Sequence, residues 1–70
     1  MPFVNIKITR ENLTTEQKQR LIRDTTEMLV RVLGKDPLTT HVVIDEIDTD
    51  NWGFDGASVT SQRRTRSNID

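Results

Sequence analysis

The sequence predicts an α+β fold: a βαβ unit with parallel strands and a short C-terminal hairpin, completed by association with further copies of the chain. Three observations predict it. Residues 2–9 alternate Val4, Ile6 and Ile8 with Asn5, Lys7 and Thr9, the period-two pattern of a strand with one buried face. Residues 15–33 carry an apolar stripe at helical spacing, long enough to cross over to a parallel neighbour. Residues 40–47 then return to strand character.

Each element has its own signals. Phe3 interrupts the first alternation by setting a large apolar group on the polar side, and 10–13 is a short polar connection. Thr14 is a good N-cap for the helix, and Gln17 completes a capping box. Leu21, Ile22, Thr25, Met28, Leu29, Val32 and Leu33 form the apolar stripe, and Lys18, Arg20, Arg23, Glu27 and Arg31 form a solvated face. Gly34 stands where a left-handed residue closes a helix, and Pro37 prevents the helix from restarting. In the second strand Val42, Val43 and Ile44 are consecutive, which predicts burial on both faces at its centre. Residues 48–51 read as a loop leading to Trp52-Gly53-Phe54-Asp55-Gly56, and 57–60 as a short strand. Residues 61–70 are polar and read as a frayed, flexible tail of a single domain spanning 1–70.

Two strands and one helix do not make a stable layered domain alone. With 70 residues the chain buries only about 60% of its unfolded surface as a monomer. There is no Cys for a disulfide or a thiolate zinc site, and a single His argues against an all-histidine metal centre. Oligomerisation is the remaining route to stability. Two protomers are expected to form a four-stranded sheet with both helices on one side, and the other side then calls for further association.

Ten Lys and Arg against eleven Asp and Glu leave a net charge of −1. That balance gives no broad attraction to nucleic acid or to an anionic membrane. The stretch with Arg63, Arg64 and Arg66 contains no aromatic residue and does not change this reading. The start has no basic segment followed by a long apolar run, and no stretch approaches the ~20 residues of a membrane span. A cytoplasmic location is expected.

Several segments, in order and in one register, resemble the 4-oxalocrotonate tautomerase family. They are Met1-Pro2-Phe3-Val4-Asn5-Ile6-Lys7-Ile8, Thr14-Thr15-Glu16-Gln17-Lys18 with Leu21-Ile22, Val43-Ile44-Asp45-Glu46, and the Asn51–Gly56 loop. The resemblance covers residue 2 to about 60. It implies a homohexamer built as a trimer of dimers and a cofactor-free keto–enol isomerase. Such enzymes act on small unsaturated 2-oxo or 2-hydroxy carboxylates such as 2-hydroxymuconate, as in the degradation of aromatic compounds. The amino-terminal proline, here Pro2, would be the acid and base.

Elementary chemistry supports a role for Pro2. A small second residue permits removal of Met1, which frees a secondary amine whose lone pair is fixed by the ring. An α-amino group titrates at about 7.7–8.0, and an apolar pocket near cations lowers that value toward neutrality, where proton transfer is efficient. Phe3, Trp52 and Phe54 are candidates for the apolar surroundings. The plainer alternative is a proline that only follows the initiator and begins an edge strand.

A carboxylate substrate calls for cationic partners, arginine above all. Family members place one arginine after the first strand and another at the start of the second. Here Arg10 lies close to the first position, with Asn12 nearer its register, and His41 stands at the second. Trp52 aligns with an aromatic that lines the family pocket. Asp45 and Glu46, adjacent on a strand, point to opposite faces and cannot act as a pair. The altered cation set leaves open a related hydratase, dehalogenase or decarboxylase that uses Pro2, and also a non-catalytic oligomeric scaffold.

Overall fold

A computed structural model describes residues 1–69 of the backbone, with side chains described through residue 65. Strand β1 (Phe3–Thr9) leads through a polar connection to helix α1 (Thr15–Leu33), and β2 (His41–Ile47) returns beside β1. The two strands pair in parallel from Phe3↔His41 to Thr9↔Ile47, so α1 is the crossover that parallel pairing demands. A small antiparallel hairpin of β3 (Gly53–Phe54) and β4 (Ala57–Ser58) follows, and helix α2 (Val59–Ile69) ends the described chain.

The local chemistry explains these boundaries. Thr14 Oγ1 accepts from the Gln17 N–H at 3.1 Å while Gln17 Oε1 accepts from the Thr14 N–H at 2.9 Å, a complete capping box. Gly34 closes α1 at φ 65°, and its N–H reaches the Val30 carbonyl at 3.0 Å. Pro37, three residues beyond that cap, opens a single 3₁₀ turn, Pro37–Thr39, capped by Asp36 on the Leu38 N–H. Asp55 and Gly56 both have positive φ, 52° and 78°, the pattern of a two-residue hairpin turn of type I′.

Val4, Ile6 and Ile8 share a sheet face with Val42, Ile44 and Glu46, and α1 lies over it. Phe3, Asn5 and Lys7 share the other face with His41, Val43 and Asp45. This second face is uncovered. Val43 is therefore exposed, and the two-sided burial expected for the centre of β2 is absent within one chain. Among the described residues only Val59, 8% exposed, is buried.

Two further expectations are corrected. Lys18, assigned to the solvated face of α1, turns onto the sheet and pairs with Glu46. Residues 61–69, expected as a frayed tail, are helical in α2. Helix α2 is fastened by polar contacts, which an apolar-stripe criterion does not register. Ser58 Oγ accepts from the Ser61 N–H at 3.0 Å, and Thr49 and Thr60 share a hydroxyl hydrogen bond. The tail expectation for residue 70 lies outside the described residues. No helix among the described residues is long and apolar enough to cross a membrane.

Candidate active site

The parallel pairing distributes the candidate residues between two ends of the sheet. Pro2 and His41 stand together at one end, where the His41 N–H donates to the Pro2 carbonyl at 3.0 Å. That bond fixes the peptide carrying Pro2 at the head of β1. Pro2 is half-buried, and Met1 before it is exposed. Arg10 stands at the opposite end, its N–H donating to the Ile47 carbonyl at 2.8 Å. Eight residues of extended chain put about 26 Å between Pro2 and Arg10.

Arg10 is engaged by its own chain. Its Nε donates to Asp48 Oδ1 at 2.6 Å, and Nη1 lies 3.8 Å from Glu46 Oε2. The hydrogen bond and charge of Asp48 hold the guanidinium pKa above its ordinary value. The Glu46 side chain is only 13% exposed and also receives Lys18 Nζ at 2.5 Å. One carboxylate thus ties the end of β1 to the first turns of α1.

Asn12 sits in the connection between β1 and α1 at φ 57°, a left-handed conformation that asparagine tolerates better than most residues. Its observed contribution is to turn the backbone. Trp52 is half-buried just after a 3₁₀ turn (Thr49–Asn51), and its carbonyl accepts from the Val59 N–H at 2.7 Å. Phe54, half-exposed, lines a hollow of about 240 Å³ with Thr9, Val59, Gln62 and Arg63. Thr9 sets this hollow at the Arg10 end, and Arg63, one of its lining residues, places Nη2 3.7 Å from Glu11 Oε1. Arg10, Asn12 and the aromatic hairpin therefore follow the C-terminal ends of the strands, whereas Pro2 and His41 lie at the N-terminal ends.

Several participants escaped the sequence reading. Asp48 and Glu46 are the partners of Arg10, and Asn5 Nδ2 donates to Asp45 Oδ2 at 2.9 Å beside Lys7 Nζ at 3.1 Å. These two contacts hold the Asp45 pKa below its ordinary value, the Asn5 hydrogen bond first among them. The signal was available in the strand register, since aligning Phe3 with His41 sets Lys7 opposite Asp45. Gln62, on the segment read as a tail, had no comparable signal.

The family model for tautomerase enzymes matches residues 2–62. The chain belongs to the tautomerase family. The match begins at Pro2 and takes in both strands, α1, the hairpin and the first residues of α2. A probable tautomerase, K2, of Dickeya dadantii (strain 3937) is 57% identical over 67 residues, 96% of this chain and all of that protein. A probable tautomerase of Helicobacter pylori (strain ATCC 700392 / 26695) is 46% identical over 91% of this chain and 97% of its own length. The crystal structure of DmpI from Helicobacter pylori superposes with a TM-score of 0.83 at 45% identity, covering 90% of this chain and 97% of that one. The 4-oxalocrotonate tautomerase isozymes of Methylibium petroleiphilum give a TM-score of 0.78 at 28% identity, over 87% and 97%.

Proposed function

We propose that this chain is a cofactor-independent tautomerase of small unsaturated 2-oxo or 2-hydroxy carboxylates, with the amine of Pro2 as general base and acid. The family match that starts at residue 2 carries the reading. With Met1 attached the Pro2 nitrogen is an amide without basicity, so the reaction requires removal of that exposed residue. The free amine then takes the hydroxyl proton of the dienol. The oxygen lone pair forms the carbonyl, and the electron pair passes along the conjugated chain. The proline ammonium returns the proton to the carbon at its end, leaving the enzyme unchanged.

The active form is an oligomer, a hexamer in this reading, and each site is shared between chains. Two arguments support this. Roughly 26 Å separates Pro2 from Arg10 within one chain, several times the length of such a substrate. One buried side chain among the described residues is also too little core for an independent domain. A related tautomerase from Chloroflexus aurantiacus J-10-fl is described as a heterohexamer, and its fold matches with a TM-score of 0.75.

The salt bridges of Arg10 favour a second reading of the substrate. A guanidinium already held by Asp48 and Glu46 is a poor carboxylate receptor, so a hydratase, dehalogenase or decarboxylase that retains Pro2 stands as the alternative. Intact mass followed by kinetics tests both. Loss of one methionine together with rapid ketonisation of 2-hydroxymuconate or phenylenolpyruvate is expected. Pro2→Ala should lower kcat by at least about a hundredfold, the scale of general acid–base catalysis, with the assembly intact. Retained methionine, or a Pro2→Ala variant of unchanged rate, would leave the scaffold reading standing instead.

A further inference from the structure

The hairpin that carries Trp52 and Phe54 has two residues in each strand, far below the size at which strands hold themselves together. Its orientation has to come from outside, and α2 supplies it. The Val59 N–H donates to the Trp52 carbonyl, and Thr60 bonds Thr49 ahead of the hairpin. Gln62 does more. Its Nε2 donates to the Phe54 carbonyl at 2.6 Å and to the Ala57 carbonyl at 3.1 Å. Phe54 and Ala57 are opposite one another across β3 and β4, so a single amide grips both sides of the Asp55-Gly56 turn. Both N–H groups of that amide are used. Gln62 is itself half-buried and lines the same hollow as Phe54.

We propose that Gln62 is a positioning residue that fixes the aromatic hairpin as a wall of the site and so sets how tightly substrate is held. The inference rests on the proposed function, with Trp52 lining the site as the family resemblance implies. Gln62 touches backbone oxygens rather than substrate. Its loss should therefore weaken binding in ground state and transition state alike, raising KM and leaving kcat nearly constant.

Three variants of the full chain test this: Gln62→Met keeps the length without the donors, Gln62→Glu keeps the shape without them, and Gln62→Lys restores N–H donors. Amide hydrogen exchange over 53–58 and emission from Trp52, the only tryptophan, report on the hairpin without any assay of turnover. Gln62→Met should speed exchange there about tenfold, the scale of one lost net hydrogen bond, and make Trp52 easier to quench. KM should rise about five- to tenfold and kcat stay within about twofold, with Gln62→Lys recovering most of the loss. Gln62→Glu gives the same reading if the methionine variant does not fold. Unchanged exchange and emission would overturn the proposal. So would a loosened hairpin with wild-type KM in a protein where Trp52→Ala raises KM. A Trp52→Ala variant of wild-type KM would instead remove Trp52 from the site, and the proposal with it.

Discussion

Replacing Phe3 by Asp should take the assembly apart. The chain exposes 5554 Å² of accessible surface. A self-contained folded protein of 8.1 kDa exposes about 4,500 Å². The excess, roughly 1,000 Å² per chain, exceeds what each partner contributes to a standard stable interface. The radius of gyration, 16.1 Å, likewise exceeds the ~11 Å of a compact 70-residue domain. Phe3 is 66% exposed on the uncovered sheet face and is the largest apolar group there. Covering about 130 Å² of its ring surface at about 25 cal/mol per Å² contributes about 3 kcal/mol per chain. That corresponds to a roughly 150-fold weaker association constant before the cost of burying a carboxylate is counted. Sedimentation velocity over a hundredfold range of protein concentration reads the effect directly. The wild-type protein should keep one oligomeric mass across the range, and Phe3→Asp should shift to lighter species as it is diluted. A Phe3→Asp protein of wild-type mass and melting temperature would refute the reasoning, because solvent-facing substitutions in a true monomer change stability by no more than about 0.5 kcal/mol.

Two other perturbations follow from the backbone and from the uncovered face. Gly34→Ala should destabilise the chain by about 1–2 kcal/mol in urea unfolding at fixed protein concentration. An added Cβ meets nothing within 4 Å, so the whole effect is the strain of φ 65°, and a neutral substitution would refute that account. The Asp45 carboxyl is held below its ordinary 3.8 by Asn5 and Lys7, so its stabilising contribution is complete above that pH and disappears as pH falls through the lowered value. Asp45→Asn should flatten the acid end of the curve of melting temperature against pH, and an unaltered acid limb would transfer that dependence to other carboxylates.

The parts of the fold readable from sequence were those in which side-chain chemistry repeats or a backbone requirement selects a residue type. Thr14 and Gln17, Gly34, and the alternation from Val4 to Ile8 each announce a local structure, and each is found where expected. Asp48 next to Arg10 was not legible, because the two are brought together only by pairing strands 38 residues apart. Helix α2 was hidden for a different reason. Apart from Val59, its first residues bind through hydroxyls and an amide, and polar composition alone reads as a tail. Within the candidate site, Pro2 was conspicuous as a residue type. The separation of Pro2 and His41 from Arg10 and the hairpin came from strand direction.

A chain that, among its described residues, hides only Val59 has little to gain from collapsing on its own. For an assembly of such chains, folding and encounter become one event, and the speed of maturation rises with the amount of chain present. Newly made copies in a dilute solution would wait, open to proteolysis, until they met another. Dilution then acts on this protein much as a denaturant acts on a larger one.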